Sequence, residues 1–137
     1  MDPLTQLFEA ALAAQSAAYA PYSKFPVGAA VMTASGAIFS GCNVENAAYP
    51  NGICAETAAI AAMAIAGERR ITDIAVVGGG ALAITPCGAC RQRLMEFAAA
   101  GAQVHLLGRS GVHETVRLTE LLPRAFGPGD LTGSAGE

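Results

Sequence analysis

The sequence predicts an α/β protein: a mixed five-stranded sheet between helices, in a three-layer α-β-α arrangement. Segments with the 3.6-residue periodicity of amphipathic helices are interspersed with short apolar runs typical of buried strands, in the order α-β-β-α-β-α-β-β. The 137 residues suffice for one domain, and no linker divides them. We therefore expect a single domain over 1–137, with a flexible tail from about 128 to 137 because that stretch is rich in Gly and Ser.

The helices are predicted from apolar spacing and from residues typical of helix ends. Asp2-Pro3 resembles an N-cap followed by Pro at the first helical position, and Thr85-Pro86 repeats that pattern. Gly67 and Gly101 stand where helices are expected to end. The predicted helices cover residues 3–19, 53–67 and 87–100, with a short helical turn within 119–126.

Five short apolar runs are predicted to be strands, covering residues 27–33, 37–43, 74–77, 104–107 and 112–118. The first two flank Ala34-Ser35-Gly36, which is typical of a hairpin whose glycine has a positive φ. The last two are separated by four residues, too few for a parallel crossover. We therefore expect the final strand pair to be antiparallel.

Composition and charge exclude several classes of partner. Lys and Arg number 8 and Asp and Glu 11, a net charge of −3, with no basic run. We therefore expect neither nucleic acid nor a membrane surface as a partner. Charged residues make up only 14%, and 30 residues are Ala. With so few charges, some apolar surface is expected to be covered by another subunit.

The predicted compartment is the cytoplasm. The N-terminal Met-Asp-Pro-Leu lacks the basic region of a secretory signal, and the longest apolar run, 58–66, is too short to span a bilayer. In the cytosol, four cysteines indicate metal binding or catalysis rather than disulfides.

The residues typical of catalytic chemistry lie at two predicted helix starts, in Cys54-Ala55-Glu56 and in Pro86-Cys87-Gly88-Ala89-Cys90. Cys87 and Cys90 are three apart and share one helix face. The partial positive charge of a helix N-terminus favours thiolates. Three thiolates could hold one Zn²⁺ per chain with the fourth position open to water. Glu56 lies close enough to act on that water without being a ligand.

A Cys-x-Glu element followed by Pro-Cys-x-x-Cys resembles the pattern of zinc deaminases in its all-cysteine form. Further motifs are similar to the cytidine deaminase family, and together they cover residues 18–131. These motifs are Tyr22-Ser23-Lys24-Phe25, the run from Gly41 to Tyr49 (GCNVENAAY), Cys90-Arg91-Gln92, and the stretch from Leu121 to Phe126 (LLPRAF).

The resemblance implies a hydrolase that deaminates cytidine and deoxycytidine to uridine and deoxyuridine, releasing ammonia, as in pyrimidine salvage. It implies zinc ligands at Cys54, Cys87 and Cys90. Water activated by the metal would attack C4 of the base. Glu56 would take the proton of the water, deliver one to N3 and protonate the leaving amine.

Substrate contacts and assembly also follow from the resemblance. Asn43 and Glu45 would bind the ribose hydroxyls, and Phe25 would stack on the pyrimidine. Phe126 matches an aromatic residue that completes a neighbouring subunit's site, and short-chain members form homotetramers. The remaining residues implied to line the pocket are Ala47, Tyr49 and Ala55.

Thr57 departs from the family pattern, because many relatives have an arginine directly after the catalytic glutamate to hydrogen-bond the thiolates. Three thiolates on Zn²⁺ leave a net charge of −1, so the absence of a guanidinium here would make the water harder to deprotonate. Arg91 or the two helix N-termini could compensate.

Four alternatives remain open. The first is a deaminase of an aminoacyl-nucleoside antibiotic such as blasticidin S, which shares the two cysteine motifs. The second is a non-catalytic module stapled by zinc, whose closed site would need a fourth ligand from Cys42, His105 or His113. A Cys87-x-x-Cys90 thiol oxidoreductase without metal is the third, and buried core thiols without function are the fourth.

Overall fold

The five strands form one mixed sheet in the order β2-β1-β3-β4-β5. The computed structural model describes residues 2–108 and 111–133, without the side chains of residues 112 and 113. Only β3 and β4 pair in parallel; the other neighbours, including the final pair, are antiparallel, as predicted. The strands are β1 (Gly28–Thr33), β2 (Ile38–Cys42), β3 (Ile71–Val77), β4 (Ala98–Gly108) and β5 (Gly111–Arg117).

Helices cover both faces of this sheet, which confirms the three-layer prediction. Alternate residues of the central strands point to opposite faces, as the two-residue repeat of a strand requires. Ala29 and Val31 of β1 belong to one core cluster, and Ala30 and Met32 to the other. The first cluster lies under α2 (Ala55–Ile65), α3 (Gly88–Phe97) and α4 (Leu118–Leu121), and the second lies under α1 (Pro3–Gln15).

The predicted helix ends at Asp2 and Gly67 are confirmed. Asp2 is the N-cap of α1, and its carboxylate accepts hydrogen bonds from the N–H groups of Leu4 and Thr5. Gly67 follows the C-cap of α2 with a φ of 87°, and Gly36 in the first hairpin has a φ of 89°.

The predicted end of α1 at residue 19 is wrong, because the helix stops at Gln15. The Ser16 hydroxyl donates to the carbonyl of Ala13, so it competes with the helical pattern. The N–H of Tyr19 donates to the carbonyl of Asn43, and Tyr19 bridges to Val44. The chain thus leaves the helix to join the segment that follows β2.

The boundary between α3 and β4 also differs from the prediction. The helix ends at Phe97 rather than at residue 100, and β4 begins at Ala98 rather than at residue 104. Ala98 has an extended backbone and pairs with Ile71, and an irregularity then shifts the register before Asp73 pairs with Gln103. Strand pairing therefore overrides the high helix propensity of the alanines here.

The start of α3 is shifted as well. Thr85 is not its N-cap; Cys87 is, and Gly88 is the first helical residue. The carbonyl of Cys87 accepts the first helical hydrogen bond, from the N–H of Arg91.

Near the C-terminus, a short helix α5 (Pro128–Thr132) occupies part of the stretch predicted to be a flexible tail. The Asp130 carboxylate accepts a hydrogen bond from the N–H of Gly127 at its start. None of the helices within the described residues is long and apolar enough to cross a membrane.

The backbone of α2 approaches β2 at Gly41. A Cβ placed on Gly41 would lie 2.5 Å from the carbonyl oxygen of Ala55 and 2.7 Å from the Cβ of Ala58, and it would also collide with the backbone nitrogen of Ala59. Only glycine allows two backbones to lie so close. This contact fixes the N-terminal turn of α2 against the sheet, directly beside Cys54 and Glu56.

Candidate active site

Three cysteine thiols meet where the starts of α2 and α3 come together. Cys54 is the N-cap of α2, Cys87 is the N-cap of α3, and Cys90 lies in the first turn of α3. Their Sγ atoms lie within 4.8 Å of one another, and the Sγ atoms of Cys54 and Cys87 are 3.9 Å apart. Zinc–sulfur bonds of about 2.3 Å in tetrahedral geometry place two sulfurs about 3.8 Å apart. The three thiols therefore fit a zinc ion.

The cluster supplies three ligands from the part of the chain whose side chains are described, with no fourth His, Cys, Asp or Glu among them. Of the predicted alternatives, Cys42 is not in the group, and the buried His105 is bonded to Asp73 and Thr115 at 2.9 Å each. The His113 side chain lies outside the described residues. An ion held by these three thiols keeps one tetrahedral position for water or substrate, as in catalytic zinc sites.

Burial opposes the effect predicted for the helix N-termini. Desolvation raises the pKa of the Cys90 thiol well above its ordinary value, and it also raises the pKa of Cys54. At the more exposed Cys87, burial again raises the pKa, but hydrogen bonds from the backbone and side chain of Cys90 outweigh it and lower the pKa overall. At Cys54 and Cys90 the effect of burial therefore dominates in the absence of a metal ion. A bound cation would favour the ionised form of both thiols, because thiolates are the form of cysteine that ligates metals.

Glu56 is the buried acid of this site, with 4% of its surface exposed. It occupies the first turn of α2, two residues after Cys54. Burial raises the pKa of its carboxyl, although hydrogen bonds to its own backbone and to Cys90 partly lower it. A carboxylate with a raised pKa accepts protons more readily, which suits a general base that must later release the proton.

A cleft of about 310 Å³ opens onto this centre. Its volume lies at the lower end of the range typical of small-molecule sites. Its lining combines polar and metal-ligating side chains with apolar ones. The predicted site residues in its lining are Asn43, Glu45, Tyr49, Cys54, Ala55, Glu56 and Cys87.

Asn43 and Glu45 are held by the segment that precedes β1. The Asn43 amide donates to the carbonyl of Phe25 at 3.0 Å and accepts from the N–H of Val27 at 2.8 Å, so it bridges the two sides of Pro26. The Glu45 carboxylate accepts from the N–H groups of residues 22 and 23 and from the Ser23 hydroxyl. These bonds lower the pKa of Glu45, with the Ser23 hydroxyl as the largest cause.

The remaining predicted site residues lie outside the lining of this cleft. Cys90 is fully buried behind it. Phe25 lies against Gly78 and next to Ile84, which does line the cleft. Ala47 is exposed in the loop before Tyr49, and Phe126 is 55% exposed, with its carbonyl accepting from the Gln92 side chain at 2.9 Å. The single chain thus does not bring Phe25, Ala47 and Phe126 to the cleft.

The cleft also contains residues that the sequence reasoning missed. Val27 follows Pro26, and Ile84 and Thr85 precede the Pro-Cys-x-x-Cys motif. Their position next to these motifs in the sequence was the one feature that could have indicated a place in the cleft. Arg91 does not contact the thiols: its guanidinium donates to the carbonyls of Pro86 and Leu121 and to the Thr85 hydroxyl. Arg91 is therefore not seen to compensate for the missing arginine at position 57 by bonding to the thiols. Arg93 instead donates to the hydroxyl of Thr57, which lies against the Sγ of Cys90.

Comparison with known proteins agrees with this geometry. Residues 1–106 match the family model described as the cytidine and deoxycytidylate deaminase zinc-binding region. A cytidine deaminase of Sporosarcina psychrophila is 43% identical over 122 residues, covering 89% of this chain and 90% of that protein. The crystal structure of a cytidine deaminase from Burkholderia pseudomallei matches with a TM-score of 0.82 and 46% identity, covering 89% of this chain and 98% of that one.

A second solved structure, the cytidine deaminase from Mycobacterium tuberculosis, matches with a TM-score of 0.79 and 37% identity. The match covers 93% of this chain and 99% of that one. The family model spans the cluster of Cys54, Cys87 and Cys90 together with Glu56. The chain belongs to the zinc-binding cytidine deaminase family.

Proposed function

We propose that this protein is a zinc-dependent hydrolase that converts cytidine and deoxycytidine to uridine and deoxyuridine with release of ammonia. The observation that carries the proposal is the buried Glu56 carboxyl beside three thiols at the inner end of an open cleft. One water enters and one ammonia leaves, so the reaction needs a proton shuttle but no redox partner. The relatives described above have the same activity in their names.

Glu56 is the proposed proton carrier. Zinc, when bound by Cys54, Cys87 and Cys90, would lower the pKa of water to near neutrality and so supply the nucleophile. The Glu56 carboxylate would take one proton from that water and pass it to N3 of the base. It would then take the proton of the hydroxyl added at C4 and deliver it to the departing amine, so each proton given up is one that it has first accepted. Its burial keeps bulk water away, and its raised pKa matches a group that must both accept and release protons.

Substrate recognition is proposed for the rest of the cleft. Glu45 and Asn43 line it, and their oxygen atoms have further lone pairs for ribose hydroxyls beyond the bonds they already make. Ala55 and Tyr49 form part of the wall. Phe25 would stack on the pyrimidine, and Ala47 would close the loop side of the cleft.

We further propose a homotetramer in the cytoplasm that serves pyrimidine salvage. The support is the number of large apolar side chains that remain exposed in the single chain, among them Tyr49 and Ile53 in the lining of the cleft and Phe126 outside it. Phe126 would then complete a neighbouring subunit's site. Sedimentation velocity of the purified protein tests this, and a monomer with full activity would contradict it.

Replacement of the proton carrier tests the proposed mechanism. Glu56→Gln keeps the size of the side chain and removes the base, so we expect kcat with cytidine to fall at least about 10²-fold while zinc remains at one per chain. Glu96→Gln is the matched control, because Glu96 is an exposed residue of α3. Retention of activity by Glu56→Gln would overturn the assigned role. Zinc-loaded wild-type protein that converts no cytidine would overturn the proposed function. Turnover of blasticidin S in its place would favour the alternative of a deaminase of aminoacyl-nucleoside antibiotics.

A further inference from the structure

A chain of contacts leads from an exposed arginine to the most buried thiol of the cluster. The Nη1 of Arg93 donates to the Oγ1 of Thr57 at 3.2 Å. The same Thr57 oxygen lies 3.7 Å from the Sγ of Cys90. Arg93 comes from α3 and Thr57 from α2, so the contacts also join the two helices that supply the cysteines.

The chemistry of the three groups fixes the direction of these hydrogen bonds. A guanidinium has only donors, so Thr57 must accept from Arg93. The hydroxyl has one hydrogen, and its oxygen is already occupied by the arginine. That hydrogen is therefore free to be donated to Cys90, whose sulfur is an acceptor when it ligates a metal. Donation from a charged group polarises the hydroxyl and strengthens its own donation.

Cys90 is the ligand that most needs such a donor. It is fully buried, whereas Cys54 is half-buried and Cys87 is exposed, so water can reach the other two sulfurs more easily. Three thiolates and one divalent cation leave a net charge of −1, which a nearby positive charge stabilises. Arg91, the basic residue next to Cys90 in sequence, is directed to backbone carbonyls instead.

We propose that Arg93, acting through the Thr57 hydroxyl, is a positioning residue for the zinc centre that orients a hydrogen bond to Cys90 and brings a positive charge to it. Arg93 touches neither metal nor substrate; it sets the direction in which Thr57 donates. The inference rests on the proposed function to the extent that the three cysteines must hold zinc.

The experiment measures zinc release rather than activity alone. Purified, zinc-loaded variants are mixed with excess of a chromogenic chelator, and the rate of zinc transfer is followed. The variants are Arg93→Leu, Thr57→Val, their combination, and the conservative Arg93→Lys and Thr57→Ser. The matched control is Arg70→Leu, because Arg70 precedes β3 and its guanidinium donates to the carbonyl of Ala98 rather than to Thr57. Cobalt-substituted protein gives a second reading, since sulfur-to-cobalt absorption reports on the thiolate environment.

We expect Arg93→Leu and Thr57→Val each to speed zinc release about 10-fold, the scale typical of partners that hold metal ligands. The double variant should match Thr57→Val, because without the hydroxyl the arginine has no path to Cys90. Thr57→Ser should release zinc at the wild-type rate. Arg93→Lys should release zinc more slowly than Arg93→Leu, because it keeps the positive charge. With cytidine, kcat should fall while KM stays the same.

Two results would overturn the inference: zinc release from Arg93→Leu at the wild-type rate, or an effect of Arg93→Leu that persists in full in the Thr57→Val background. If Arg93→Leu fails to fold, the comparison of Thr57→Val with Thr57→Ser decides alone, and equal release rates would contradict the role of the hydroxyl. Wild-type protein that binds no zinc would instead refute the proposed function, so the two failures are distinguishable.

Discussion

Replacement of Gly41 by alanine tests whether the close approach of β2 positions the zinc ligands. The added Cβ would lie 2.5 Å from the Ala55 oxygen and 2.7 Å from the Ala58 Cβ. Ordinary contacts between such atoms are about 3.5 Å, so α2 would have to recede by about 1 Å. The atoms in the way belong mostly to helix backbone, which cannot turn aside as a flexible side chain could.

The expected effect of Gly41→Ala is a loss of about 1–3 kcal/mol of unfolding free energy, typical of an overfilled core. For a chain of this length, each kcal/mol corresponds to roughly 4 °C of melting temperature. The displaced turn contains Cys54 and Glu56, and a misplacement of about 1 Å lowers rates by about 10²-fold. We therefore expect cytidine turnover to fall by about 10²-fold, which corresponds to about 2.7 kcal/mol and is comparable with the expected loss of stability.

Thermal unfolding, zinc content and cytidine turnover of the same preparations measure these effects. The matched control is Gly127→Ala, because a Cβ there meets no atom within 4 Å and its φ of −143° is open to any residue. We expect the control to keep wild-type values for all three. If Gly41→Ala also keeps wild-type stability and turnover, the contact with β2 does not hold α2 in place.

Three further predictions concern the hydrophobic core, the face of the sheet that packs against α1, and the stability of the protein at low pH. Leu94→Ala, at a fully buried position of α3, should lower the free energy of unfolding in urea by about 2–5 kcal/mol, whereas Leu82→Ala, at an exposed position, should change it by less than about 0.5 kcal/mol; equal effects would contradict the packing. His105→Leu removes the partner of Asp73 and Thr115 and should destabilise the protein by about 1–3 kcal/mol, and an unchanged urea midpoint would refute the role of these bonds. The pKa of Glu45 is held below its ordinary 4.5 chiefly by the Ser23 hydroxyl. The contribution of the ionised Glu45 to the free energy of unfolding is therefore complete above pH 4.5 and is lost as the pH falls through the lowered pKa. Ser23→Ala should raise the pKa of Glu45 in a carboxyl NMR titration, and an unmoved titration would contradict the assigned cause.

The strands could be predicted because local patterns determine them, whereas the cysteine cluster was implied by the resemblance to a known family. Short apolar runs predicted the five strands, and the short predicted connection between the last two required them to be antiparallel, as they are. Helix signals placed Cys54 at one helix start and Cys87 and Cys90 at another. That the two starts meet was implied by the resemblance to zinc deaminases, because no local pattern connects them.

Features that depend on contacts between distant segments could not be predicted. The end of α1 is decided by the bond between Tyr19 and Asn43, which are far apart in sequence. The early start of β4 depends on the pairing of Ala98 with Ile71, against the helix propensity of the alanines. The contact of Arg93 with Thr57 joins two helices, and no spacing rule connects residues 36 apart.

The proposed function is tested most directly by the conversion of cytidine by the purified, zinc-loaded protein, with zinc, uridine and ammonia measured in one sample. We predict one zinc per chain, held by Cys54, Cys87 and Cys90, and equal amounts of uridine and ammonia that together match the cytidine lost. One zinc per chain with no loss of cytidine would contradict it.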